Sequence, residues 1–307
     1  DNLKGRLARL WIRLDRGELE QLEMDIYDLR QESPNNALVQ IRIARVYKAM
    51  GDRDNARLML RRTGKNAGFD TDQLYKLALE QLALGDAAGG HWSVLKALEG
   101  NARHLGALAC RVVLLIALDR LEEAKQALAE LKAVYPQRSE TRLAEGDLMT
   151  ATHDLNGAVR AFAAAYRLLP TRATVRRLFE AQIENDDVKG ALKTIRVWIL
   201  LHPDDIDSRH ALAEKLISVG RFRPAQLVYE GILKRDSTDP QLLNNLAYVS
   251  QKVGDERAVD YARQAVETAP DHPGFLDTYG WILAENGEPE RGLKMLRDAY
   301  TRQSTNE

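Results

Sequence analysis

Cysteine is almost missing from this 307-residue chain, which holds one, Cys110. A single thiol makes no intramolecular disulfide, so no disulfide framework organises the fold. In its apolar setting Cys110 reads as a small buried hydrophobe. Aromatic residues are scarce at 6%, although hydrophobic residues reach 45%. The core therefore rests on Ala and Leu packing rather than on stacked rings. An excess of charge is also lacking: 44 Lys and Arg against 45 Asp and Glu leave a net charge of −1. That balance argues against nonspecific nucleic-acid binding, which depends on a basic surface, and leaves room for a local basic patch. Long apolar runs are absent too. The longest, Val112 to Leu118, is far shorter than the about 20 residues a bilayer-spanning helix takes. No signal-peptide pattern opens the chain, which begins at Asp1 already inside a helical pattern. The expectation is a piece of a longer array or a processed product.

Motifs of catalysis and metal binding are equally thin. The six histidines form no H-E-x-x-H or similar ligand pair. HPDDIDSRH, from His202 to His210, gathers acids between two histidines but spans a helix end, a proline and a helix start. Carboxylates there are explained as caps for exposed N–H groups, so Asp204, Asp205 and Asp207 need no metal, and Asp239 and Asp271 repeat that logic. The segment TGKNAGFD lacks GK[ST] and a preceding strand, which excludes a phosphate loop, and GDAAGGH at 85–91 reads as an inter-helix turn. No nucleophile stands with a recognisable base. The chain is read as a non-enzyme, with no cofactor and no metal.

What the sequence has is a period. One helical hairpin is written twice between residues 241 and 300, and its turn at Gly287 recurs at Gly254, Gly220, Asp186, His153, Asp119, Gly85, Gly51 and Gly17. Successive separations are 33, 34, 34, 33, 34, 34, 34 and 34 residues. Glycine is the low-cost residue for a left-handed helix terminus, with Asp tolerated and His less usual. Prolines agree with that register. Pro34, Pro136, Pro170, Pro203 and Pro270 mark the ends of second helices, while Pro224, Pro240, Pro273 and Pro289 fall in first turns, where the missing N–H costs nothing. A third column opens each second helix with a small residue: Ala56, Gly90, Ala124, Ala158, Ala191, Ala225, Ala258 and Gly292, with Leu22 departing. Hairpins of this kind cannot bury their apolar stripe alone and must stack on neighbours.

Repeat by repeat, these columns resemble the tetratricopeptide repeat family. Leu212-Ala213, Leu216, Gly220, Ala225, Tyr229 and Ile232 carry the likeness in one repeat, and Ile43-Ala44, Tyr47, Gly51, Ala56 and Leu60 in another. The first helix of the fourth repeat, HLGALACRVVLLIAL, departs most, being apolar on several faces. The resemblance implies an all-α fold, a right-handed superhelical solenoid of about nine helix-turn-helix repeats. As a single solenoid its repeats run approximately 1–33, 34–68, 69–102, 103–136, 137–170, 171–203, 204–237, 238–270 and 271–302, with 303–307 as a tail.

In that family, first helices line a concave groove and present the second, fifth, ninth and twelfth repeat positions to a ligand. Carried onto this chain, the resemblance implies a face of Arg42, Arg45 and Lys48, then Asp72 and Tyr75, then Arg176, Arg177 and Glu180. Toward the C-terminus it implies Asp207, His210 and Glu214; Gln241, Asn244, Asn245, Tyr248 and Gln251; and Asp277 and Trp281. Asn offers a peptide backbone both a donor and an acceptor, and Tyr and Trp are frequent interface anchors. Family members that clamp a chaperone's C-terminal carboxylate use a basic set, which His210 and Asp277 beside Asn244 and Asn245 do not provide. The groove reads instead as polar and mildly acidic.

The last two repeats, through LDTYGWIL and RGLKMLRDA, also resemble the C-terminal part of repeat-containing lipoproteins encoded with bacterial exopolysaccharide and PEP-CTERM/exosortase clusters. That likeness implies a periplasmic scaffold, membrane-tethered through a segment outside this chain, in polysaccharide export or envelope protein sorting; a cytoplasmic setting is the alternative. The expected partner is a protein, held as a peptide segment or helix in the groove. A polysaccharide is the alternative ligand, disfavoured because Trp11, Tyr75, Tyr248 and Trp281 look dispersed in sequence. A self-assembling spacer, monomer or dimer through its terminal repeats, is suggested by Leu293, Leu296 and Tyr300 on the final helix.

Overall fold

Nine chain reversals with left-handed backbone set the architecture. In the computed structural model, which describes residues 3–34, 36–66, 70–234 and 239–304, every residue of the turn column has positive φ. Six are glycines, with φ between +69° and +87°; the others are Asp119 at 57°, His153 at 61° and Asp186 at 57°. Each turn closes with the same pair of backbone bonds, as where Gly85 N donates to Leu82 O and Asp86 N to Gln81 O. The second bond reaches back over the αL residue and satisfies a carbonyl the helix end would leave bare.

Eighteen α-helices and no strands occur among the described residues. They pair as α1 (Leu3–Asp15) with α2 (Leu19–Glu32), α3 (Ala37–Ala49) with α4 (Arg53–Asn66), and α5 (Thr71–Ala83) with α6 (Ala87–Gly100). Then come α7 (Leu105–Ala117) with α8 (Leu121–Val134), α9 (Ser139–Ala151) with α10 (Leu155–Leu168), and α11 (Arg172–Glu184) with α12 (Val188–Leu201). The last three are α13 (Ile206–Ser218) with α14 (Phe222–Leu233), α15 (Pro240–Val253) with α16 (Ala258–Thr268), and α17 (Pro273–Glu285) with α18 (Pro289–Ser304). Three prolines open helices at their first residue, and the five that close second helices each fall two residues beyond the last helical one. The repeat boundaries at 68–69 and 237–238, residues 67–69 of the TGKNAGFD segment and residues 305–307 of the tail lie outside the described residues.

The chain clusters into two compact units, residues 1–191 and 192–307. Within unit 1 the first helices stack in series, α1 on α3, α3 on α5, α5 on α7, α7 on α9 and α9 on α11. Its core runs through Leu10, Leu22, Leu60, Leu77 and Leu114, each no more than 1% exposed. The apolar helix α7 fits the same register, burying Ala107, Leu108, Cys110, Val112, Leu114 and Leu115. Burial pushes the Cys110 thiol up to about 12, which leaves it an inert hydrophobe.

Within unit 2, α15 packs on both α16 and α17, and α17 on α18. The small-residue column explains how closely these helices cross. A Cβ added to Gly292 would meet Gly280 O at 2.5 Å, and one added to Gly280 would meet Gly292 O at 2.8 Å, so only glycine fits either position. The eight small residues of that column and Leu22 are all buried.

Caps complete the hairpins, with one difference from expectation. Asp205, Asp239, Asp70 and Asn36 accept N–H bonds at the start of first helices, as anticipated for Asp205 and Asp239. Asp271 does not cap α17: His272 holds that position, and Asp271 lies one residue too early and pairs with Arg302 of α18. A second column of caps went unread in the sequence. Asp52, Asp86, Asp154 and Asp187, each directly after a turn residue, accept the N–H three residues on at the start of a second helix.

Candidate interaction surface

The first-helix face of unit 1 is laced by ions between neighbouring repeats. Arg45 on α3 donates from Nε to Glu80 Oε1 on α5 at 2.8 Å. His104, at the N-cap of α7, accepts from Ala107 N through Nδ1, so the proton sits on Nε2 and is donated to Asp72 Oδ1 of α5 at 3.2 Å. Tyr75 tilts against His104 with ring centroids 5.0 Å apart and rests over Gly106, where a Cβ would meet its Cζ at 2.6 Å. Burial raises the Tyr75 hydroxyl pKa above its ordinary value. Arg177 on α11 pairs with Asp147 on α9 and lies 4.8 Å over the Phe162 ring, while Arg176 reaches Glu180 at 3.8 Å. Of the basic stripe predicted on α3, Arg42 is exposed and Lys48 half-buried, while Arg45 already has its counter-ion.

Unit 2 presents amides and rings at the same repeat positions. Gln241 donates to Asn245 Oδ1 at 3.0 Å, one turn along α15. The fully buried Tyr229 of α14 lies beside Asn245, and its hydroxyl, which has no hydrogen-bond partner among the described residues, is pushed up to about 12 by burial and by the nearby Glu214 carboxylate. His210 on α13 lies 6.0 Å from the Tyr229 ring. Glu214, Asn245 and Tyr229 thus converge between α13 and α15. Asp207 and Asp277 are exposed, and Asn244 Oδ1 is buried without a hydrogen-bond partner among the described residues.

Further along the same face of α15 the rings of Tyr248 and Trp281 stand 6.0 Å apart, with Phe222 at 6.2 Å from Tyr248, edge-on. Lys252 places Nζ 4.7 Å from the Trp281 centroid and 5.6 Å from that of Tyr248. Gln251 donates to the Glu285 carboxylate at 3.2 Å and accepts from Asn286 Nδ2 at 2.9 Å, which ties α15 to the end of α17. The dispersal of aromatics expected from sequence does not hold here. Tyr248 and Trp281 occupy one repeat position on adjacent, packed first helices, so a gap of one repeat becomes a contact. Lys252, Phe222 and Glu285 were missed. Lys252 and Glu285 share a repeat position one turn after the two rings, and that offset was their signal.

The His202–His210 segment resolves into a cap. Asp205 is 7% exposed and accepts from Trp198 Nε1 at 2.8 Å, Ser208 N at 3.1 Å and Ser208 Oγ at 2.6 Å. Among the described residues no cluster of three His, Cys, Asp or Glu is arranged to hold a metal ion. No described helix is long and apolar enough to cross a membrane.

The architecture defines an all-α protein of stacked helical hairpins. No family model and no curated protein matches the chain. Solved structures resemble it at low identity. TTC0263, a thermophilic tetratricopeptide repeat protein of Thermus thermophilus, is 23% identical with a TM-score of 0.49, over 59% of this chain and 100% of that one. YrrB, described as a tetratricopeptide repeat protein with an unusual peptide-binding site, is 18% identical with a TM-score of 0.42, over 60% and 95%. A tetratricopeptide repeat protein from Parabacteroides merdae is 15% identical with a TM-score of 0.41, over 97% and 98%.

Proposed function

We propose that this chain is a non-catalytic protein-interaction scaffold that docks a partner segment on the first-helix face of unit 2. The observation that carries this reading is the joint display of Tyr248 and Trp281 beside the amides of Gln241, Asn244, Asn245 and Gln251. Rings supply rigid contact area at little entropic cost, and the amides match the alternating donors and acceptors of a peptide backbone. Asn244 Oδ1, buried and unbonded, is an acceptor that a rotated amide would offer to an arriving N–H. The setting we propose is the bacterial envelope, in exopolysaccharide export or protein sorting, from the resemblance of LDTYGWIL and RGLKMLRDA.

The test is capture from solubilised envelope of the source bacterium, with the wild-type chain beside Asn244→Ala/Tyr248→Ala/Asp277→Ala. Proteins retained by the wild type and lost with the variant support the scaffold and name its partners. Equal capture by both forms removes unit 2 as the docking face.

A second reading, a glycan on the same face, is favoured by one feature, the adjacency of Tyr248 and Trp281, since paired rings can stack on sugars. Sugar analysis of the captured material separates the two: glycan without protein replaces the scaffold reading.

A further inference from the structure

We propose that the Tyr248–Trp281 pair is a receptor site for a cationic side chain of the partner, an arginine above all, and that Lys252 fills it until the partner arrives. This rests on the docking reading and gives the partner a chemistry. Lys252 Nζ lies within cation–π distance of both rings, at 4.7 and 5.6 Å, so the pair already holds a positive charge. That lysine is exposed and has no carboxylate partner among the described residues, so the rings are what position its charge. It sits one helical turn after Tyr248 on α15, where its stem folds back over its own helix. Such a contact is weak and exchangeable at an exposed site.

Charge around the rings selects the replacement. Asp277 lies one turn before Trp281 on α17 and Glu285 one turn after, the latter held by Gln251 at 3.2 Å. Glu214, at the repeat position of Tyr248 and Trp281, puts a third carboxylate on the first-helix face of α13. Against these acids no lysine or arginine stands at the second, fifth, ninth or twelfth repeat position of α13, α15 or α17, and Lys252 directly follows the last of these on α15. A segment carrying positive charge complements that face, and an acidic one is repelled. Arginine suits the site better than lysine because its planar guanidinium stacks on a ring while its N–H fork reaches a carboxylate. When it binds, Lys252 swings into solvent and the flanking acids gain a partner.

The experiment titrates the whole chain with a Gly-Ser peptide bearing arginines at alternate positions, with its glutamate counterpart and with a neutral glucan oligosaccharide, by calorimetry. The arginine peptide is expected to bind and the glutamate peptide to fail. Lys252→Ala should tighten the arginine peptide roughly 2- to 5-fold, because the internal competitor is gone. Glu285→Gln and Trp281→Phe should each weaken it by a similar factor, with thermal melts unchanged for Lys252→Ala and Glu285→Gln, whose sites are exposed. Weaker binding of the arginine peptide in Lys252→Ala, or preference for the glutamate peptide, overturns the proposal and makes Lys252 a direct contact to an acidic partner. Glucan binding lost in Trp281→Phe, without arginine-peptide binding, also overturns it. If the arginine peptide fails while groove-dependent proteins are still captured from envelope, the docking reading stands and the cation site falls.

Discussion

The two units present the same repeat positions to solvent and have furnished them in opposite ways. In unit 1, Arg45 with Glu80 joins α3 to α5, His104 with Asp72 joins the start of α7 to α5, and Arg177 with Asp147 joins α11 to α9. In unit 2, the corresponding side chains are Asn245, Tyr248, Gln251 and Trp281, which make hydrogen bonds through their amides, to Gln241 and Glu285, and ring contacts. Charges that neutralise each other within the chain have little left for a ligand, whereas aromatic faces and amides keep capacity for a further contact. The turns differ in the same sense. All three non-glycine αL residues, Asp119, His153 and Asp186, fall in unit 1, while Gly220, Gly254 and Gly287 serve unit 2. Position in the repeat therefore does not by itself make a residue a ligand contact. What its neighbours in the adjoining repeat have already satisfied decides that.

Breaking unit 1 while sparing the face of unit 2 is the largest test of this contrast. Phe162 is 1% exposed and lies against Gly146, where a Cβ would meet its ring at 2.5 Å. Phe162→Ala should cost about 3–5 kcal/mol by urea denaturation. Partner capture by the folded fraction should persist; its loss would extend the docking face into unit 1. Next in size, Trp281→Ala should weaken partner binding by about 2 kcal/mol, or roughly 30-fold, as central ring anchors do. An unchanged affinity by calorimetry would take the ring pair out of the interface.

A smaller effect comes from the caps, where the units are alike. Asp86 in unit 1 and Asp255 in unit 2 both follow a turn glycine and reach back to the preceding second helix, to Arg61 and Gln226. The Arg61 hydrogen bond holds the Asp86 carboxyl below the usual range against the opposing effect of burial, helped by Gly89 N–H. For Asp255 the Arg257 hydrogen bond does the same, again over an opposing burial effect. A depressed folded value means stabilisation that is complete above the unfolded pKa of about 3.9 and lost as pH falls through the folded one. Asp86→Ala should cost about 1 kcal/mol at neutral pH as a lost cap, and its stability should fall less steeply than the wild type's between neutral pH and pH of about 3. Parallel acid limbs in the two forms would show that Asp86 carries none of that dependence. Least of all, Arg45→Ala should cost only about 0.2–1 kcal/mol, since the pair is partly exposed, and should leave partner capture unchanged. A drop in capture would return the basic stripe of α3 to the binding face.

Period and composition determined the fold. Nine turn residues, nine prolines and one small-residue column share a register because each answers a local backbone or close-packing demand: an αL terminus, a missing N–H, a helix crossing. Such demands are met within a few residues or between adjacent repeats, so they are written in the chain at fixed spacing. The caps after the turns were equally legible at that spacing, from Asp52 to Asp187.

The face was another matter. Sequence placed Arg45, Asp72, Tyr248 and Trp281 on one surface by analogy of position, but only the stacking of first helix on first helix decided their state. It gave Arg45 its Glu80 and Asp72 its His104, and it brought Trp281 to Tyr248 with Lys252 above them. Whether a side chain is spent or available depends on groups one repeat away, at distances set by the packed helices. A linear pattern carries the first kind of information because backbone geometry is local; the second arises only when the helices meet.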